Sequence, residues 1–142
     1  MEGKHVINGT FGECILEGQK VAEIKGLKAD IGLNYQDVEI AGQLEPDQKF
    51  IGTTRTGSMT MSKTNSRMAK LLNDAIKVGK TPSLTIISKL DDPDALGAET
   101  VALYGVKFTN LPIVDWTVKQ MVEVNMSFTF KDFEYLDMID EE

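Results

Sequence analysis

The stretch VEVNMSFTFKDFEY, Val122 to Tyr135, places apolar side chains at Val122, Val124, Met126, Phe128 and Phe130, with Glu123, Asn125, Ser127, Thr129 and Lys131 between them. A period of two is that of a strand with one dry and one wet face, because successive side chains leave a strand on opposite sides. Fully extended, the stretch would reach about 46 Å, well beyond the usual strand of a small domain. Such a strand either bends sharply or runs past its own domain.

The rest of the chain is also rich in strand signals. ECILEGQKVAEI predicts a hairpin with Gly18-Gln19 in its turn. Ala22 and Ile24 share one face, and the apolar row changes phase after Gly26 to continue through Leu27, Ala29 and Ile31, as a bulge requires. Val38 with Ile40, and Met59 with Met61, mark two further half-buried strands. Between them GQLEPDQKFIGTTRTG has little periodicity and predicts a long loop at about 42–57, of a length that usually carries a function. Its Phe50-Ile51 pair either anchors the loop to its own core or is offered to another subunit.

NSRMAKLLNDAIKVG predicts one helix, with Met68, Leu71, Leu72, Ala75 and Ile76 on a stripe, Asn65 or Ser66 capping the start and Gly79 the end. Arg67, Lys70, Asp74 and Lys77 give its other face a mildly basic character. PSLTIISKL predicts a strand and DDPDALG a turn-rich loop. AETVALYGVKFT predicts a strand apolar on both faces, which belongs near the middle of a sheet, and TNLPIVDW a second loop. The balance, roughly seven strands to one helix, is mainly β.

Catalytic and metal-binding machinery lacks its parts. The one histidine, His5, lies in the first few residues, so triads and histidine-based metal sites have nothing to build on. VGKT at Val78–Thr81 looks like the end of a phosphate loop, but Asp74 stands where the leading glycine belongs and the stretch follows a helix instead of opening one. In DDPDALG a calcium loop fails because Leu96 takes a ligand place and Leu103 stands where the bidentate glutamate belongs. The triplets at Asn8 and Asn125 are chance matches to the glycosylation pattern. With 22 Asp and Glu residues, no carboxylate pair is singled out. Neither a cofactor nor a metal is expected, and the weight moves from catalysis to binding or assembly.

At 142 residues the chain is read as one domain, 1–142. Its formal charge of −7 opposes general affinity for DNA, since phosphate contacts need Lys and Arg. No apolar run is long enough to cross a bilayer, the opening has no secretory signal and the single cysteine, Cys14, fits a reducing compartment, so folding in the cytoplasm is expected.

The order of these elements, with KFIGTTRTGSMTMSK, RMAKLLNDAIKVGKTP and VEVNMSFTFKDFEYLD, resembles the tail tube proteins of contractile-tailed phages and defective prophages, the XkdM-like group, over nearly the whole chain. The resemblance implies two packed antiparallel sheets, a β-sandwich or distorted barrel with one flanking helix. It implies a structural protein and no enzyme, forming hexameric rings that stack into a hollow tube. Long strands would join those of neighbours into a closed barrel, which removes hazardous sheet edges. The loop carrying Phe50, Ile51, Thr53 and Arg55 would reach the adjacent ring, and some of Glu123, Asn125, Ser127 and Thr129 would face the lumen and repel DNA phosphates, the alternative being that they face the sheath or solvent. Partners would be further copies, the tail sheath protein and tail tip or baseplate proteins, with DNA passing unbound and no stable membrane association. The alternatives are a tube protein of the type VI secretion kind, or a small β-barrel that stays monomeric and holds an apolar ligand.

Overall fold

The alternation of the closing stretch survives in the computed structural model, which describes residues 2–141: Met126 and Phe128 are buried while Asn125, Ser127 and Thr129 are exposed. The stretch is not one strand, however. It divides into β7 (Glu123–Thr129) and β8 (Asp132–Asp137), so of the two alternatives the chain takes the sharp bend. Before them come β1 (Gly12–Leu16), β2 (Gln19–Lys20), β3 (Ile24–Val38), β4 (Asp47–Ser62), the helix α1 (Arg67–Val78), β5 (Leu84–Leu90) and β6 (Glu99–Phe108).

All pairings are antiparallel, and the strands form one hydrogen-bonded path in the order β2-β1-β5-β6-β7-β4-β3, with β8 added on β6. That path folds into two leaves. In one leaf β6 lies between β5 and β8, Ile87↔Ala102 on one side and Ala102↔Glu134 on the other. Its last residues, Lys107 and Phe108, cross into the second leaf and pair with β7. The strand apolar on both faces is therefore central, as its sequence predicts.

The crossing is made at Gly105, whose φ of +64 suits glycine and whose missing Cβ would lie 2.8 Å from the Lys131 Cβ. There the Lys131 N–H donates to the Tyr104 carbonyl at 2.9 Å. Two corners, one in β6 and one between β7 and β8, nest against each other and carry the chain from leaf to leaf.

Facing side chains of the two leaves make one core: Cys14, Leu16 and Ile86 from one, Met59, Met61, Met126 and Phe128 from the other, closed by Met68 and Leu72 of α1. The centre, where an apolar ligand would have to sit, is filled by Met59, Ile86, Val106, Met126 and Phe128. Phe128 meets Phe108 edge-on at 5.8 Å and stands opposite Gly57 of β4.

The expected helix forms where its stripe predicts. Asn65, not Ser66, supplies the cap, its Oδ1 accepting from the Arg67 N–H at 2.9 Å, and Gly79 ends the helix with a φ of 73. Only part of the stripe is covered, since Leu71 and Ile76 remain exposed.

The first hairpin turns one residue earlier than expected. Leu16 pairs with Gln19, so Glu17-Gly18 are the central residues, both with positive φ (51 and 79). Glu17 accepts this strain because its carboxylate takes a hydrogen bond from the Thr85 N–H at 2.6 Å. The bulge expected at Gly26 is present between Ile24 and Gly26. In the acidic turn, Asp92 is buried and accepts from the N–H groups of Asn8 (2.8 Å) and Asp94 (2.9 Å), which gives this carboxylate a structural task.

Burial pushes the Cys14 thiol up to about 11 from 9.0, because a thiolate in the core loses its hydration. The unfolded chain then ionises first as pH rises. The stability that depends on the neutral thiol is full below about pH 9 and falls between about pH 9 and 11, by about 2–3 kcal/mol in all. Cys14→Ala is expected to lose this share of the alkaline slope, read as urea midpoints of both proteins at about pH 8 and about pH 10.5.

Candidate assembly surface

The stretch expected as a loop at about 42–57 is mostly strand. β4 begins at Asp47 and pairs with β3 down to Val38↔Asp47, leaving only residues 39–46 as the connection. Threonines favour strands; what hid the strand is its lack of an apolar row, because Thr53, Arg55 and Gly57 occupy one face.

β7 accompanies β4 only as far as Thr56↔Thr129. Beyond that point residues 31–38 and 47–55 pair with each other alone, a two-stranded arm about 26 Å long at the usual rise. A ribbon of this kind is at best marginal by itself in water. Its dry face continues that of the core: Leu27 and Ile31 pack against the core cluster, and Leu33 and Tyr35 follow on the same side of β3. Leu33 is 57% exposed, Tyr35 53% and Phe50 51%. Tyr35 and Phe50 meet edge-on at 5.9 Å. Ile51 is the extra residue at a bulge between the Asn34 and Tyr35 pairings, and is also exposed.

The four residues expected to act in ring stacking thus lie along one strand. Phe50 and Ile51 belong to the outer arm and take no part in the core, so they do not anchor the segment to its own body. Thr53 stands opposite Leu33. Arg55 is at the root: its guanidinium donates to the Lys131 carbonyl and lies 5.9 Å from the centre of the Phe133 ring. It fixes the arm to its own chain.

Glu123, Asn125, Ser127 and Thr129 do form one row, opposite Ser62, Thr60, Ser58 and Thr56 of β4. The Thr60 hydroxyl and Asn125 Oδ1 are 2.9 Å apart, and Glu123 is ion-paired with Lys25. The face is rich in hydroxyls and amides, and its one acid of the four carries a counter-charge.

The two edges of this leaf differ. β3 ends the path, so among the described residues no strand pairs with its outer edge from Ile24 to Val38. The outer edge of β7 is closed by its own chain: Thr109 N–H donates to the Ser127 carbonyl at 2.8 Å. The Asn110 side chain accepts from Ser127 N–H at 2.7 Å and donates to the Asn125 carbonyl at 3.1 Å.

A second apolar surface lies in and just after the stretch TNLPIVDW, where the sequence predicts only a loop. Ile113, Val114, Trp116, Val118 and Met121, all exposed, lie in the connection between β6 and β7. Their density in LPIVDWTVKQM is the signal that was available. Leu111 and Ile113 line a groove of about 280 Å³ with Met61, Met68, Ile76 and Val124, between this connection and α1. No described helix is long and apolar enough to cross a membrane, and no three His, Cys, Asp or Glu side chains gather among the described residues to hold a metal.

Two leaves sharing a strand, with one flanking helix, make the fold of phage and contractile-system tail tube proteins. A chain of the sheath–tube complex of the extracellular contractile injection system PVC superposes with a TM-score of 0.73 at 10% identity, over 96% of this chain and 95% of that one. A chain of the SPP1 tail tube gives 0.61 at 12% identity, over 94% and 81%. The chain belongs to the phage tail tube protein family, whose model matches residues 1–137. It is 32% identical over 136 residues to the phage-like element PBSX protein XkdM of Bacillus subtilis (strain 168), covering 94% of this chain and 92% of that relative. It is accordingly a structural component of a phage or prophage tail and not an enzyme.

Proposed function

We propose that copies of this chain form hexameric rings that stack into the hollow inner tube of a contractile tail, a conduit for DNA or a tube that punctures a membrane. The observation that carries this reading is the arm, whose dry face leaves the body with Leu33, Tyr35 and Phe50 half-exposed. A lone copy gains nothing from that exposure; a copy seated on another buries it. The open edge of β3 supplies backbone groups for pairing within a ring, where closure turns an aggregation hazard into ordered contact.

In this tube the row Glu123, Asn125, Ser127 and Thr129 faces the lumen. With Glu123 held by Lys25, the wall repels phosphate less than a free acidic row would; it offers hydroxyls and amides in place of cations for DNA to adhere to. Phe50 and Ile51 serve ring stacking, with Thr53 beside them and Arg55 setting the angle of the arm. The sheath protein and the tail tip or baseplate bind the finished tube, and assembly takes place in the bacterial cytoplasm.

Negative-stain microscopy of the purified protein at rising concentration tests the reading. Rings and tubes are expected. A persistent monomer at every concentration, or a reconstruction with all four row residues on the outer wall, would remove the respective assignment.

A further inference from the structure

The arm and the groove lie at opposite ends of β4. The arm occupies its first residues, from Asp47, while Met61, Ser62 and Lys63 reach the groove at its far end. From Phe50 to Met61 the strand covers about 36 Å at the usual rise. A surface at one end that fits a surface at the other is a head-to-tail contact, which builds an open stack when its rotation does not close into a ring, as between surfaces at opposite ends of a long strand.

The two ends also match in charge. Around the tip of the arm stand Asp37, Glu39, Glu45 and Asp47 against one cation, Lys49. Lys63 lines the groove, and Lys70, Lys77 and Lys80 stand along and just after α1 outside its lining, all exposed, against Asp74, while Arg67, also in the lining, is held by Glu23 at 3.5 Å. In a chain of net charge −7 this is a local reversal of sign. Apolar groups match as well: Leu44, fully exposed at the turn, has a counterpart in the groove lined by Leu111, Ile113 and Ile76.

We infer that the acidic arm tip of one copy, with Leu44 leading, docks in the groove between α1 and Leu111–Ile113 of a second copy. The inference rests on the tube reading above and names the surface that receives the arm. The apolar groups supply the burial, and the opposed charges set the orientation and speed of encounter.

Charge reversal tests it. Glu39→Lys with Glu45→Lys, and separately Lys63→Glu in the groove with Lys70→Glu beside it, change exposed side chains only; each pair is expected to abolish tube growth. The two reversed proteins mixed one to one are expected to grow again, because each tip then finds an opposite groove on the other copy. As a second readout, Leu44→Cys with Ile113→Cys is expected to give a ladder of disulfide-linked multimers on oxidation, with Cys14 buried out of reach. Unimpaired tubes from both reversed proteins and no ladder would overturn the docking and leave the tube reading standing. Wild-type protein that forms no tubes would end both.

Discussion

Gly57→Ala is expected to destabilise the monomer by about 3 kcal/mol or more, the upper part of the range for overpacking. Gly57 stands between Ala29 of β3 and Phe128 of β7. A Cβ placed there would lie 2.5 Å from Phe128 Cε2 and 2.5 Å from the Lys28 carbonyl oxygen. The ring is packed against Phe108 and Phe130 and is 1% exposed, so it has little space to move into. Backbone cannot yield at the other contact without breaking the β3–β4 ladder. Phe128→Leu shortens one obstacle and leaves the other, so the double variant should be more stable than the sum of the single effects predicts, by about 1 kcal/mol, yet well below wild type. Urea midpoints of the four proteins check this; additive effects would show that the ring and the glycine do not meet.

Phe50→Ser with Ile51→Ser is expected to do the opposite, leaving the fold and removing assembly. Both side chains are more than half exposed and lie outside the core cluster. Their loss should change monomer stability by less than about 1 kcal/mol, as for exposed positions generally. In a stacked tube the same side chains are buried once per copy, and aromatic and aliphatic anchors of that kind carry most of an interface's energy. Tube growth should therefore disappear while the urea midpoint hardly moves. Full-length tubes from this variant would remove the stacking role from Phe50 and Ile51.

These two positions show what the sequence could and could not reveal. Alternation around Met126 and Phe128, the α1 stripe with Gly79 and the phase change near Gly26 are local signals, and the structure carries them out. The arm is illegible as a strand because the β4 side of its dry face carries no apolar row: Thr53 stands opposite Leu33, and Arg55 is held by Lys131 and Phe133, residues far away in the sequence. A sharp bend is one of the two alternatives that the length of the closing stretch leaves open, but its place after Thr129 is not legible, since it depends on Gly105 meeting Lys131, far apart in the chain. The row from Glu123 to Thr129 was legible as one face, but its ion pair with Lys25 needed the fold. The apolar connection after β6 was visible in composition, yet only the position of α1 beside it defines a groove.

Membership of β6 in both leaves has a mechanical consequence. Sheets held only by side-chain contacts can shear, but here sliding one wall past the other would stretch a covalent backbone at Gly105 and open the nested corner at Lys131. Rigidity under load is thus built into each molecule before any neighbour arrives, and a cylinder assembled from such parts inherits it.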